Sequence, residues 1–255
     1  DVEAIGAEKA GILRPQRPAI FGARDMPQSI ARIASSTGTE LHRLGETFDW
    51  DRDDGTWDWS HHEFGRLNAL PFPSLLGEAQ LDNASAVLTA LASLRERLDV
   101  PRAAIEAGLR TVRLRGRFER IECGADWILD VAHNPAAANV LARSLAKLPP
   151  REPRIAVCAV LADKDLAHIY AELRDCFDEW IVAGLEGARA LDPATLAQRL
   201  REQGARVTGE CVDVRAACEL ASKRARDAGR VVVFGSFLTV GPALEWIDAR
   251  CVTLA

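Results

Sequence analysis

The sequence predicts an α/β protein whose C-terminal half is a doubly wound domain built on a mostly parallel sheet. From Phe118 onward, short apolar segments alternate with longer segments in which apolar residues recur at helical spacing. Capping residues, such as Asn134-Pro135 and Asp192-Pro193, stand where apolar segments give way to helical ones. This β-then-α order is typical of parallel strands joined by crossover helices.

The alternation predicts specific elements in this half. We expect strands at 118–122, 126–131, 154–160, 179–184, 206–212 and 230–234. We expect helices at 135–147, 165–177, 193–203, 214–228 and 241–249.

The N-terminal half has a different pattern. Residues 1–11 predict a short helix, Ala19–Phe21 a strand and Pro27–Ala34 a helix, as at the end of another parallel-sheet domain. Asp54-Gly55 between alternating aromatic residues predicts a β-hairpin. Its tryptophans could stack on a base or pterin, but cross-strand pairs in an antiparallel ribbon are the favoured interpretation.

A core helix and a hinge are predicted next. The helix is indicated from Ala84 by apolar residues at helical spacing, namely Val87, Leu88, Leu91, Leu94 and Leu98. The basic, glycine-containing residues 112–117 resemble an interdomain hinge, which divides the chain into domains at 1–111 and 118–255.

Composition excludes some classes of protein. A formal net charge of -5 argues against nucleic-acid binding, and no apolar run approaches the roughly 20 residues needed to cross a bilayer. The six cysteines are widely spaced without a C-x-x-C, so we expect reduced, buried thiols and neither a zinc site nor disulfides. Adjacent His61 and His62 would face opposite sides of a strand, and we expect both at the surface. The chain opens at Asp1 without a methionine, so we expect it to be part of a longer protein.

Three polar segments follow predicted strands at the carboxyl edge of the sheet, where open α/β sheets bind ligands. They are Asp130-Val131-Ala132-His133-Asn134-Pro135, Asp163-Lys164-Asp165 and Gly235-Ser236. Each has a purely structural alternative, because a capped turn or a tight strand-to-helix turn requires similar residues. The local patterns leave both interpretations open.

Three segments in order carry a resemblance to a known family. They closely resemble segments of folylpolyglutamate synthases and dihydrofolate synthases, which are members of the Mur ligase superfamily. In chain order, the segments are Glu8-Lys9-Ala10-Gly11-Ile12, then Gln80-x-x-Asn83, and then Gly116-Arg117-Phe118 followed by D-x-A-H-N-P from Asp130. The resemblance implies the end of a Mur-type central ATPase domain, including an antiparallel hairpin part. A Rossmann-like, doubly wound C-terminal domain would follow it.

The resemblance also implies an activity in folate biosynthesis and one-carbon metabolism. Such enzymes are ATP-dependent, magnesium-dependent amide ligases that add L-glutamate to dihydropteroate, folate or both through an acyl phosphate. A cytoplasmic monomer that acts on small molecules, without nucleic acid or membrane partners, would be expected.

Residue roles come from the same resemblance. Asn83 should bind adenine, Arg117 phosphate oxygens and Asp130 the ribose hydroxyls, while His133 should lie near the transferred phosphate or the incoming glutamate. Lys9 corresponds to a carbamylated lysine, whose anionic carbamate helps to orient magnesium. The glutamate pocket could include Asp163, Lys164 and Ser236.

No G-x-x-x-x-G-K-S/T sequence occurs in the 255 residues, so we expect the chain alone to be inactive. Two alternatives stay open at this point. One is another Mur-type amino-acid ligase, acting on a peptidoglycan precursor or a peptide-like polymer, and the other is a non-catalytic nucleotide-binding α/β module. The choice between dihydrofolate synthesis, polyglutamate extension and both also stays open.

Overall fold

The computed structural model describes residues 1–75, 77 and 79–254, with the backbone alone for 252–254. The chain divides into two compact units. One comprises Asp1–Ser74 with Glu78–Arg113, and the other comprises Leu75–Gly77 with Leu114–Ala255. The division after Arg113 falls inside the expected hinge at 112–117. No described helix is both long and apolar enough to cross a membrane.

The first unit combines a parallel strand pair with an antiparallel ribbon. Its helices are α1 (Val2–Lys9), α2 (Gln28–Thr37), α3 (Ala79–Ser93) and α4 (Arg102–Thr111), with a 3-10 turn at Ala10–Ile12. Its strands are β1 (Pro18–Phe21), β2 (Glu40–Arg43), β3 (Phe48–Asp53), β4 (Thr56–His61) and β5 (Gly65–Leu70). β1 and β2 pair in parallel, and β3, β4 and β5 form the ribbon in that order.

The predicted hairpin is confirmed. Gly55 adopts a φ of +83° in the turn between β3 and β4, a left-handed conformation that glycine reaches without a steric penalty. Trp50 lies opposite Trp59 in the ladder, while Trp57 and Trp59 are at most 2% exposed. The tryptophans therefore act as cross-strand and core residues, as the antiparallel-ribbon interpretation expected.

The expectation that His61 lies at the surface was wrong. His61 shares the inward face of β4 with the buried tryptophans because side chains alternate along a strand, and it is 5% exposed. Its Nε2 atom lies 3.0 Å from Nδ1 of His42, and its ring stacks on Phe64 at a centroid distance of 4.1 Å. His62 is exposed, as expected.

The second unit has the predicted α/β order. Its strands are β6 (Glu119–Cys123), β7 (Ala125–Asp130), β8 (Arg154–Cys158), β9 (Glu179–Ala183), β10 (Val207–Cys211) and β11 (Arg230–Phe234). Its helices are α5 (Pro135–Leu145), α6 (Leu166–Leu173), α7 (Pro193–Glu202), α8 (Val214–Ala225) and α9 (Phe237–Leu254), with a 3-10 turn at Arg174–Cys176.

These strands form one sheet in the order β10-β9-β8-β11-β7-β6, parallel except for β6, which runs antiparallel to β7. Successive residues of these strands point to opposite faces of the sheet and pack into two separate hydrophobic cores. Ile128 and Val232 pack with α5, α6 and α7 on one face, whereas Trp127 and Val231 pack with α8 and α9 on the other. The doubly wound prediction is confirmed.

The expectation of no disulfide was wrong for one pair. Cys123 at the end of β6 is bonded to Cys251 in α9, with their Cα atoms 5.7 Å apart. The two residues are 128 apart in sequence, and only the packing of α9 against β6 brings them together. Cys158 and Cys218 are buried free thiols, as expected.

Candidate functional site

The carboxyl ends of β7, β11 and β8 lie side by side at one edge of the sheet. Asp130, Phe234 and Cys158 are in register across these strands, so the loops that follow them are neighbours. The loops at this edge, called the carboxyl edge below, contain the candidate residues Asp130, His133, Ser236, Asp163 and Lys164.

The Asp130 carboxylate ties the entry to β6 to the exit from β7. One oxygen accepts the backbone N–H of Phe118 at 2.9 Å, and the other accepts that of Ala132 at 2.8 Å. Burial raises the pKa of Asp130, while these two hydrogen bonds and the charge of Arg117 act in the opposite direction. Each oxygen retains a further lone pair, so the carboxylate can still accept a hydroxyl from a ligand.

His133 is held by its own turn. Its Nδ1 atom lies 2.9 Å from the carbonyl oxygen of Val131. A carbonyl only accepts, so Nδ1 carries a proton, and in the neutral tautomer with that proton Nε2 is an acceptor. Asn134 caps α5 by accepting the Ala137 N–H at 2.9 Å, and Pro135 is the first helical residue. The segment therefore makes the capped turn and leaves an exposed imidazole acceptor.

Arg117 differs from the arginine two residues before it. Arg115 is bound by the carboxylates of Asp248 and Glu119, at 3.0 and 2.7 Å. In the described part of the chain, no hydrogen bond or ion pair engages the Arg117 guanidinium, whose Cζ lies 5.5 Å from the ring centroid of Phe237. Its N–H donors are therefore available to an anion.

Ser236 lies between a tight turn at Gly235 and the first residue of α9. Gly235 has a φ of +134°, and a Cβ there would collide with the carbonyl oxygen of Ala159. The hydroxyl of Thr239 donates to that carbonyl at 3.2 Å and lies 3.3 Å from the Ser236 hydroxyl. Because the single Thr239 proton is used, Ser236 donates to Thr239 and keeps its own lone pairs available.

Asp163 joins two loops of the carboxyl edge. Its carboxylate lies 2.9 Å from Arg189 and 3.1 Å from Lys164, which together lower the pKa of Asp163 to about 2. The carbonyl of Arg189 also accepts the N–H of Ala162 at 2.9 Å. Asp165 caps α6 through the His168 N–H, so the predicted cap is present here too.

Two residues at this edge were missed by sequence reasoning. Arg189 lies 26 residues from Asp163, and no local pattern connects them. Phe237 reads as an ordinary apolar residue in sequence, yet its side chain is 67% exposed beside Arg117. The signal for Phe237 is therefore its exposure, which the sequence does not show.

Lys9 and Asn83 belong to the first unit. Lys9 ends α1 with its side chain 71% exposed, its Nζ atom 3.1 Å from Glu8, beside a cavity of ≈ 370 Å³. Asn83 is exposed on α3 and donates to Gln80 at 3.3 Å. Convergence of these two residues with Arg117 and Asp130 on one nucleotide remains a prediction. Nowhere in the described residues do three His, Cys, Asp or Glu side chains form a group that could hold a metal ion.

This chain resembles known proteins in sequence. Residues 116–237 match the family described as Mur ligase, glutamate ligase domain. The chain is 39% identical over 252 residues to the dihydrofolate synthase/folylpolyglutamate synthase of Escherichia coli, covering 98% of this chain and 56% of that protein. The chain thus spans about half the length of the curated relatives it matches.

Solved structures agree. The structure of E. coli FolC in complex with DHPP and ADP has a TM-score of 0.84 and 39% identity, covering 98% of this chain and 57% of that one. A bifunctional folylpolyglutamate synthase/dihydrofolate synthase with Mn, AMPPNP and L-glutamate bound has a TM-score of 0.84 and 37% identity, covering 97% and 57%. The family match, together with these relatives and solved structures, shows that residues 116–237 of this chain are a glutamate ligase domain of the Mur ligase family.

Proposed function

We propose that the protein containing this chain is an ATP-dependent ligase that joins L-glutamate to dihydropteroate, folate or both. In the proposed reaction a substrate carboxylate attacks the γ-phosphorus of ATP and ADP leaves. The glutamate amine then attacks the acyl carbon and phosphate leaves. The observation that supports the proposal is the bonding state of three side chains. Arg117 has no hydrogen bond or ion pair among the described residues, and His133 and Ser236 each keep an unused acceptor.

Three residues are proposed to bind the nucleotide. The planar fork of Arg117 suits phosphate oxygens, and none of its donors is hydrogen-bonded to a carboxylate among the described residues. Asp130 would accept ribose hydroxyls through its remaining lone pairs, although both oxygens already serve the fold. Asn83 would bind adenine with its exposed amide. ATP supplies the activated phosphate, and the protein supplies orientation and charge.

The binding site for L-glutamate is proposed to lie beside His133 and Ser236. Both present acceptors, Nε2 and the hydroxyl oxygen, which suit the N–H groups of an incoming amine. The cations Lys164 and Arg189 both contact the carboxylate of Asp163, and their remaining N–H donors suit a substrate carboxylate. A structure of a relative with L-glutamate bound supports this choice of amino acid.

The proposed reaction also requires a magnesium ion. The described residues contain no cluster of three metal-ligating side chains, so we assign the ion no ligand set here. Lys9 is proposed to act indirectly, as a carbamate that helps to orient the ion. We further propose a cytoplasmic monomer without nucleic acid or membrane partners. The net charge of -5 supports only the absence of a nucleic-acid partner.

The test compares Arg117→Met with Arg115→Met in the longer protein that contains this chain. ADP formation should require both L-glutamate and a pterin or folate acceptor. Arg117→Met should lower kcat/KM for ATP by about 10- to 100-fold, because a charge-assisted phosphate contact is lost. Arg115→Met should leave kcat/KM unchanged, since Arg115 is already bound to Asp248 and Glu119.

Three outcomes would contradict the proposal. Equal losses in the two variants would remove Arg117 from the phosphate site. ATP turnover supported by another amino acid, or by a peptidoglycan-type acceptor and not by folates, would favour a different Mur-type ligase. Nucleotide binding without any turnover in the longer protein would favour a non-catalytic module.

A further inference from the structure

Arg117 is fixed at its backbone but not at its side chain. On one side, the Gly116 N–H donates to Glu119 at 2.8 Å and the Gly116 carbonyl accepts the Val131 N–H at 3.0 Å. On the other side, the N–H of Phe118 is held by Asp130. The guanidinium is exposed at the end of a long side chain that loses rotamer entropy when it is ordered.

The first turn of α9 packs against Gly116, the residue before Arg117. Gly116 has a φ of +71°, and a Cβ there would come within 2.7 Å of Val240. Close packing at Gly116 therefore sets the position of α9 relative to the hinge. Phe237, the first residue of that helix, consequently lies beside Arg117.

The contact between Phe237 and Arg117 has the geometry of a cation–π interaction. The Arg117 Cζ lies 5.5 Å from the ring centroid, within the roughly 6 Å over which such contacts are attractive. Phe237 is 67% exposed, so its ring contributes little to the core. Among the described residues, the cation that contacts this ring is the Arg117 guanidinium.

An aromatic partner has a consequence that a carboxylate would not have. A carboxylate consumes guanidinium N–H donors, as Asp248 and Glu119 do for Arg115. A ring engages the face of the guanidinium and leaves the N–H groups at its edge available. An arginine held in this way is ordered and still able to bind phosphate.

We propose that Phe237 is a positioning residue that orders the Arg117 guanidinium while leaving its donors open for a phosphate group of the nucleotide. This inference rests on the proposed role of Arg117. It assigns a function to an exposed aromatic side chain that packing alone does not explain.

The first experiment tests the contact itself by NMR of the 255-residue chain. Phe237→Leu should remove the ring-current shifts of the Arg117 side-chain protons and increase the mobility of its Nε–Hε group. Phe237→Tyr should preserve both signals, and Leu238→Ala is the matched control, because Leu238 is a neighbouring residue that is also exposed, at 54%. Arg117 signals that do not respond to Phe237→Leu would overturn the inference.

The second experiment tests its consequence in the longer protein. Phe237→Leu should raise KM for ATP by about 2- to 5-fold with little change in kcat, and Phe237→Tyr should restore the parent value. In an Arg117→Met background, Phe237→Leu should have no further effect. Thermal unfolding of each variant controls for loss of structure.

The outcomes separate the two hypotheses. If Arg117→Met itself leaves KM unchanged, the phosphate role in the proposed function fails. If Arg117→Met raises KM but Phe237→Leu does not, the phosphate role stands and the positioning role of Phe237 fails. A KM that follows the aromatic character of residue 237 supports the inference.

Discussion

At the scale of single residues, the candidate site depends on hydrogen-bonding capacity that remains after structural bonds are made. Asp130 serves two backbone N–H groups and His133 serves one carbonyl, yet each keeps an unused acceptor. Structural and functional interpretations of these residues are therefore compatible. The turn that Asp130 and His133 stabilise also fixes the orientation of their side chains.

Lys9 provides a prediction at this scale. In the longer protein, Lys9→Ala should reduce ligation by about 10- to 100-fold, because the carbamate is proposed to orient the magnesium ion indirectly. Added small carboxylates should restore part of the activity. Lys9→Arg should not restore it, since arginine stays charged and cannot form a carbamate. The measurement is the rate of glutamate-dependent ADP release, and full activity of Lys9→Ala would exclude Lys9 from the site.

His61 provides a second prediction at the scale of single residues. Burial, followed by the charge of His42, lowers the pKa of His61 below its ordinary value of 6.5. The unfolded chain therefore binds the proton first as the pH falls, so the free energy of unfolding should decrease below about pH 6.5. Urea unfolding as a function of pH measures this decrease. His61→Gln should flatten the dependence, whereas the exposed neighbour His62→Ala should retain it, and an unchanged slope in His61→Gln would refute the assignment.

At the scale of elements, the junction of β11 and α9 organises the carboxyl edge. Gly235 turns the chain against the Ala159 carbonyl, which places Ser236 at the start of α9 and Phe237 beside Arg117. One backbone turn thus positions two proposed functional side chains. A positive φ and a close backbone approach both require glycine at this position.

Gly235→Ala should therefore lower the free energy of unfolding by roughly 2 kcal/mol or more, through the clash and the unfavourable φ. Gly241→Ala is the control in α9, the helix that follows the turn, because a Cβ there would meet nothing within 4 Å outside its chain neighbours. Alanine at 241 should change the free energy of unfolding far less, because its higher helix propensity is opposed by contact of its Cβ with the ring of Pro242. Chemical denaturation measures both values, and similar effects of the two substitutions would contradict the role of the turn.

Helix α3 shows the limit of periodicity. The helix itself is present, but it ends at Ser93, so Leu94 and Leu98 of the predicted apolar stripe lie beyond it. Val87 on α3 is 57% exposed, and Leu94 and Leu98 are 42% and 49% exposed. Spacing predicts which residues share a helix face. It does not predict what covers that face.

At the scale of the whole molecule, each unit has its own core. The second unit contains a complete sheet covered by helices on both faces. Residues 112–255 should therefore fold cooperatively when expressed alone. Thermal unfolding of 112–255 should reproduce one of the transitions of 1–255, and a non-cooperative 112–255 would show that this unit depends on the other.

The 255-residue chain should not turn over ATP. It has no glycine-rich phosphate loop sequence, whose backbone N–H groups, lysine and hydroxyl neutralise the phosphates and bind magnesium. The assay is phosphate release with ATP, magnesium, folate and glutamate. Turnover by this chain would mean that its own residues supply the phosphate site.

Local patterns in the sequence determined the element order, the doubly wound class and the Asp54-Gly55 hairpin, because hydrophobic periodicity and turn chemistry act over a few residues. The capped turn after Asp130 and the resemblance to the ligase family were also readable there. Only the tertiary structure decided which distant residues meet, namely Cys123 with Cys251, His42 with His61 and Arg117 with Phe237. Such pairs form because strand order and helix packing bring separate segments together, and no local pattern encodes that proximity.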